Sequence, residues 1–299
     1  MIISASYKTD IPAFYGEWFL GRLRAGHCRM TNPWGGQVYR VALDRDAVEG
    51  FVFWTRNAAP FMAGLAEVRR LGYPFVLQVT LTGYPRALER SAPEPERVVE
   101  QMRRLAGEYG PRAVVWRYDP ILVSTLTPPD FHLANFARLS RALEGASDEV
   151  VVSFAHIYRK TRRNLSDAAR RHGFAWADPD DDAKRSLVAR LAEAAGAAGM
   201  NLTVCAQAAY TAPPARLARC IDAARLSDVA ARPIRAAVRG NRPDCLCHAS
   251  RDIGAYDTCP LGCVYCYAVQ SHRAARRGHR HHDPSDDMLR PPAAISRRN

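Results

Sequence analysis

The stretch "RAVVWRYDPI", residues 112–121, opens on apolar, β-branched and aromatic side chains and turns polar at Arg117 and Asp119. An apolar run without alternation reads as a strand covered on both faces, the usual state of a strand in a parallel sheet. Runs of the same kind stand at 1–7 (MIISASY), 50–55 (GFVFWT), 74–81 (PFVLQVTL), 149–155 (EVVVSFA) and 201–207 (NLTVCAQ). Segments of helical composition lie between or after them, at 10–26, 58–72, 94–110, 129–145, 182–199 and 213–231. Several of these start after Pro or Asp and end at Gly, where helices are entered and left most cheaply. Six strand–helix units predict an α/β fold, a partial (β/α)6 TIM-like barrel, with an open doubly wound sheet as the alternative that periodicity does not separate.

The pattern stops near residue 240. Residues 1–240 are therefore expected to form the barrel-like domain, and 241–269 a cysteine-rich segment packed on it. Residues 270–299 (SHRAARRGHRHHDPSDDMLRPPAAISRRN) are expected to be a basic, disordered tail. "NPWGG", 32–36, reads as a turn.

The chain has 299 residues, 47% of them hydrophobic and 24% charged, which suits one large globular body. It contains no run of about 18 apolar residues and no basic leader followed by an apolar stretch, so no membrane contact and a cytoplasmic location are expected. The net charge of +12 makes nucleic acid a candidate partner. Apart from Lys8, Lys160 and Lys184 the basic residues are arginines, an Arg- and Ala-rich composition that a GC-rich genome would also produce.

Active sites of (β/α) barrels form at the C-terminal ends of the strands. Polar residues recur there: Thr9 and Asp10 after the first run, Arg56 after the second, Arg117 and Asp119 in the fourth, Ser153 and His156 in the fifth, Cys205 and Gln207 in the sixth. Arg56, Arg117 and Asp119 are the candidates for binding substrate or cofactor. His156 reads as a structural histidine.

Eight cysteines without a secretory leader suggest metal ligands before disulfides. In "DTCPLGCVYCYAV", 257–269, Cys259, Cys263 and Cys266 stand at C-x3-C-x2-C with Tyr265 before the last. Three thiolates hold three irons of a [4Fe–4S] cluster and leave the fourth open, whereas a structural zinc site wants four closed ligands. This spacing is the signature of radical S-adenosylmethionine (SAM) enzymes, in which the open iron chelates SAM. Tyr265, Thr9 and Asp10 would lie beside that cofactor. Cys245 and Cys247, two apart, share a face of an extended segment. With Cys205 and with Cys220, expected in the following helix, they would make a closed set of four for a second [4Fe–4S] cluster or a zinc ion. Cys28 is left as structural.

"SASYKTDIPAFYGEWF", "FVFWTRN", "VVWRYDPI" and "CLCHASRDIGAYDTCPLGCVYCYA" resemble the bacterial domain of unknown function 1848 family over about residues 1–269. Around the cysteine loop that family is similar to spore photoproduct lyase and its radical-SAM relatives. The resemblance implies a cluster on Cys259, Cys263 and Cys266 and names no substrate. In most radical-SAM enzymes the cysteine loop follows the first barrel strand; here it follows the sixth unit. The reading that results is a radical-SAM-type iron–sulfur enzyme reduced by a flavodoxin- or ferredoxin-like donor protein. A nucleic-acid repair or modification enzyme with the same cofactor and a non-catalytic zinc or iron–sulfur binding module are the alternatives.

Overall fold

The computed structural model describes residues 1–32 and 35–292. Two residues of the expected turn, 33 and 34, and the end of the tail, 293–299, lie outside them.

In chain order the strands are β1 (Ile2–Ala5), β2 (His27–Thr31), β3 (Val38–Ala42), β4 (Gly50–Thr55), β5 (Phe75–Thr80), β6 (Val114–Ile121), β7 (Val123–Ser124), β8 (Glu149–Phe154), β9 (Trp176–Ala177), β10 (Asn201–Val204), β11 (Arg216–Leu217) and β12 (Ser250–Asp252). The helices are α1 (Ile11–Phe14), α2 (Gly16–Arg24), α3 (Met62–Arg70), α4 (Pro95–Tyr109), α5 (Pro129–Ala142), α6 (Arg159–His172), α7 (Asp181–Ala197), α8 (Ala223–Ala230) and α9 (His272–Arg280).

Eight strands join in one sheet, in the order β11-β10-β8-β6-β5-β4-β1-β12, and every neighbouring pair is parallel. The fold is thus α/β, and the six expected runs are six of its strands. From β1 to β11 the chain steps across the sheet in one direction, and β12 then returns to the free edge of β1. β2 and β3 form a separate antiparallel hairpin, and β7 pairs antiparallel with β9.

The two faces of the sheet are covered differently. On one, Phe51, Phe53, Phe75, Leu77, Trp116, Tyr118, Val150 and Val152 share a core with Trp18 and Phe19 of α2, Leu65 of α3, Met102 and Leu105 of α4 and Phe136 of α5. On the other, Ile2, Val52, Val76, Val115 and Val151 meet Ala218, Ile221, Leu226 and Ile234, from the chain that follows β11. Strands covered on both sides must be apolar on both sides, which is why these six read as continuous runs.

Four expectations need correction. The count of six strands is two short. β11 is Arg-Leu and β12 is Ser-Arg-Asp, edge strands of two and three residues with no apolar run to mark them. The segment 159–172 is helical although it was not expected to be: α6 buries only Thr161, Leu165 and Ala168, spaced four and three apart on one face of a strongly charged sequence. Of 213–231 only Ala223–Ala230 is helix, begun by the Asp222 side chain accepting from the Ala224 amide, so Cys220 lies in the turn before α8 and not in a helix. The tail is ordered through residue 292. Ser271 caps α9, Trp18 Nε1 donates to the Asp286 carbonyl at 3.0 Å, and Met288 and Leu289 are buried. Apolar residues spaced too far apart to register as an element are enough to dock it. No helix among the described residues is long and apolar enough to cross a membrane.

Candidate functional site with two sets of cysteines

The C-terminal ends of the strands form a polar rim. Asp10, just past β1, accepts from the amides of Ala13 and, across the rim, Arg56 at 3.0 and 2.8 Å. Burial pushes its carboxyl up to about 6 against those hydrogen bonds. Thr9 is buried, and its Oγ1 has no hydrogen-bond partner. At β12, Asp252 clamps the edge strand to the end of β1: it accepts from Ser4 Oγ and Ser6 Oγ at 2.8 Å each, from the amides of Tyr7 and Gly254, and pairs with Lys8 at 3.4 Å.

The loop 257–269 is held against this rim. Glu89 and Cys263 face each other in a single antiparallel bridge, and the Val264 amide donates to Leu88 O at 3.0 Å. Beneath it lies a buried polar knot. Arg56 Nη1 pairs with Glu89 Oε1 at 2.9 Å, Arg56 Nη2 donates to the Tyr265 hydroxyl at 2.7 Å, and both the Tyr265 and Thr82 hydroxyls donate to Glu89. Glu89, Thr82 and Tyr265 are all buried. Tyr15 donates to Thr258 O at 2.8 Å and Tyr267 to Tyr7 O, fixing the two flanks of the loop.

Cys259, Cys263 and Cys266 interact with one another inside this loop. The backbone of Leu261 near Cys259, and of Ala268 and Val269 near Cys266, favours the thiolate form of these two. Burial is the main cause that raises all three thiols, Cys263 to about 12, with the Arg56 guanidinium opposing it at Cys263. Such amides favour a thiolate over a thiol, which is a weak acceptor.

The second set comes from four places in the chain. Cys205 follows β10, Cys220 follows β11, and Cys245 and Cys247 lie between α8 and β12. Cys220 Sγ donates to Cys205 Sγ at 3.4 Å, Cys247 lies within electrostatic reach of Cys220, and Cys245 of Cys247 and Cys205. Against a hydrogen bond with Cys205 that lowers it, contact with Cys247 and burial push the Cys220 thiol up to about 11. The hydrogen bond with Cys247 holds Cys245 down, to about 6. Arg117 Nη1 donates to Cys220 Sγ and Arg242 Nη2 to Cys205 Sγ, both at 3.1 Å. Among the described residues no three His, Cys, Asp or Glu side chains surround a common point as ligands.

Arg117 is buried against this second set, where it also bonds Gln78 Oε1 and pairs with Asp119. Asp119 accepts in addition from Ser153 Oγ, and Arg117 and Ser153 hold its carboxyl below the usual range although burial raises it. Asp119 lies within electrostatic reach of Cys205 and of Tyr267. Gln207 joins β8 to β10 through the Phe154 backbone and touches His156 Nε2 at 3.4 Å. Cys28 is buried in the helix-side core. Glu89, Thr82, Asp252 and Arg242 went unnoticed in the sequence, where each is a lone polar residue with no motif around it.

A parallel α/β sheet carrying two groups of cysteines beside the ends of its strands defines the class of protein. The family model described as "Domain of unknown function (DUF1848)" matches residues 2–268, and the chain belongs to that family. No curated protein and no solved structure matches it.

Proposed function

We propose that this chain is an iron–sulfur enzyme of radical-SAM type, with Cys259, Cys263 and Cys266 as the ligands of a [4Fe–4S] cluster. The observation that carries the reading is the loop itself: three thiols at C-x3-C-x2-C that interact with one another, one buried and two partly buried, with no fourth cysteine in the set. When bound, such a cluster supplies an open iron for the amino and carboxylate groups of SAM and the electron that cleaves its sulfonium. The protein's part is to hold the loop. Glu89 and Arg56 anchor it through Tyr265, while Tyr15 and Tyr267 fix its flanks. Thr9, with an unpartnered hydroxyl, and Asp10, poised to change charge near pH 6, are the polar groups for cofactor or substrate on the β1 side. Asp119 is the carboxylate on the β6 side.

The sheet, in this reading, curls into an incomplete TIM-like barrel. A chain that steps one way through seven parallel strands and puts its eighth beside the first follows barrel order, and the cysteine loop after β12 then falls over the same rim as the loop after β1. That explains how a loop late in the chain serves a site usually built after the first strand. The electron donor is a flavodoxin- or ferredoxin-like protein.

Anaerobically reconstituted protein should be brown and bind iron at the loop. On reduction it should give a paramagnetic signal that shifts when SAM is added, and Cys263→Ala should abolish the shift. A colourless protein without loop iron after reconstitution would overturn the proposal.

A further inference from the structure

The second set of cysteines goes beyond this reading, because it shares no residue with the loop. We propose that Cys205, Cys220, Cys245 and Cys247 bind a single zinc ion in a closed, structural tetrathiolate site.

The argument begins with spacing. Zinc holds thiolates at about 2.3 Å in a tetrahedron, which puts neighbouring sulfurs about 3.8 Å apart. Cys205 and Cys220 sulfurs are 3.4 Å apart, close to that value and far beyond the roughly 2.05 Å of a disulfide. Cys247 lies within electrostatic reach of Cys220, and Cys245 of Cys205. A four-iron cluster places each thiolate on a different iron, which would spread these sulfurs much wider than direct contact. Rotation about the Cα–Cβ bonds would be needed to close the four into a tetrahedron, and Cys245 has room to move, being only half-buried.

Charge supports the same conclusion. Four thiolates on a divalent ion carry a net charge of −2. Arg117 and Arg242 point guanidinium donors at Cys220 and Cys205, each at 3.1 Å, in a place where neutral thiols would give them little. Arg242 comes from the same returning segment as Cys245 and Cys247, so the segment brings its own counter-charge. The Ile221 amide adds a donor to Cys247 Sγ at 3.4 Å.

Topology says what the ion would do. The four ligands join the ends of β10 and β11 to the chain that crosses the second face of the sheet and leads into β12. The Cys220 carbonyl is in turn held by Gln78 Nε2 of β5 at 2.9 Å. One ion there fixes the crossing segment, hence the position of β12 and of the loop after it. Arg117 carries the link on to Asp119 at the rim.

The test is metal analysis of the full chain, purified and then reconstituted with zinc or cobalt. Zinc should be stoichiometric. Cobalt should give the intense near-ultraviolet bands of thiolate-to-metal charge transfer and the visible bands of a tetrahedral ion. Cys205→Ser and Cys247→Ser should each lose the zinc, and Cys263→Ala should keep it. Should the serine variants fail to fold, wild-type protein still decides: displacement of the ion by a mercurial reagent should release zinc together with four newly reactive thiols. Iron in place of zinc, halved by Cys247→Ser, would overturn the inference, as would wild-type protein with no metal and four freely reactive thiols. Zinc without loop iron would leave this inference standing while removing the proposed function.

Discussion

Arg56 carries more of the site than its position at a strand end suggests. Its guanidinium satisfies Glu89 and Tyr265 together, and Glu89 faces Cys263 across the bridge. Removing one partner of a buried ion pair strands the other without solvent. Arg56→Ala should therefore cost about 3–5 kcal/mol, read as a lower urea midpoint, and Glu89→Gln on that background should recover part of the loss by removing the orphaned charge. An Arg56→Ala variant as stable as wild type would show that water reaches Glu89 freely. Arg56 was visible in the sequence as a polar residue after an apolar run. Glu89 was not, since it stands in a connection and its value comes from what folding places opposite it.

At the scale of elements, β12 is held by side chains more than by its own length. It contributes three residues, and Asp252 gathers the hydroxyls of Ser4 and Ser6 to fasten it to β1. Gly254 leaves space for this clamp: a Cβ there would stand 1.9 Å from Ser6 Oγ. Gly254→Ala should push Ser6 off Asp252 and destabilise the fold by about 1–3 kcal/mol, with faster amide exchange at residues 250–254 as the local sign. Exchange no faster than in wild type would show that the clamp can shift without loss. The hairpin of β2 and β3, the short β11 and β12, and the charged α6 all escaped a reading by periodicity. Each is stabilised by neighbours distant in sequence and not by an apolar pattern of its own.

For the whole molecule, acidity offers a test of how the buried groups are wired. His132 is buried neutral: Nε2 donates to Leu122 O and Nδ1 accepts from the Tyr118 hydroxyl. Burial pushes it from 6.5 down to about 4. The unfolded chain therefore takes up a proton that the native ring refuses, so this contribution is present above pH 6.5 and is lost as pH falls towards 4, by roughly 3 kcal/mol in full. Asp10 works the other way. Its folded value of about 6 exceeds the ordinary 3.8, so its contribution grows as pH falls through that window. In the wild type the two act in opposite directions. Comparing it with His132→Gln isolates the histidine: the stability gap between them should shrink as pH is lowered from 7.5 to 4. A gap that stays constant would mean that the native ring takes up its proton at the same pH as the unfolded chain does.

The sequence alone determined the six main strands, most of the helices and the closeness of the three loop cysteines. Continuous apolar runs have few other ways to escape water, and C-x3-C-x2-C brings its thiols together by covalent proximity. Tertiary structure alone decided the rest. It supplied the seventh and eighth strands, the docking of the tail through Met288 and Leu289, the knot of Arg56, Glu89 and Tyr265, and the placing of Arg117 and Arg242 on the sulfurs of Cys220 and Cys205. These contacts join residues from about 30 to more than 250 positions apart, and a polar side chain has no periodicity that says which distant partner will satisfy it. Only burial, which makes an unpaired charge or hydroxyl costly, selects that partner.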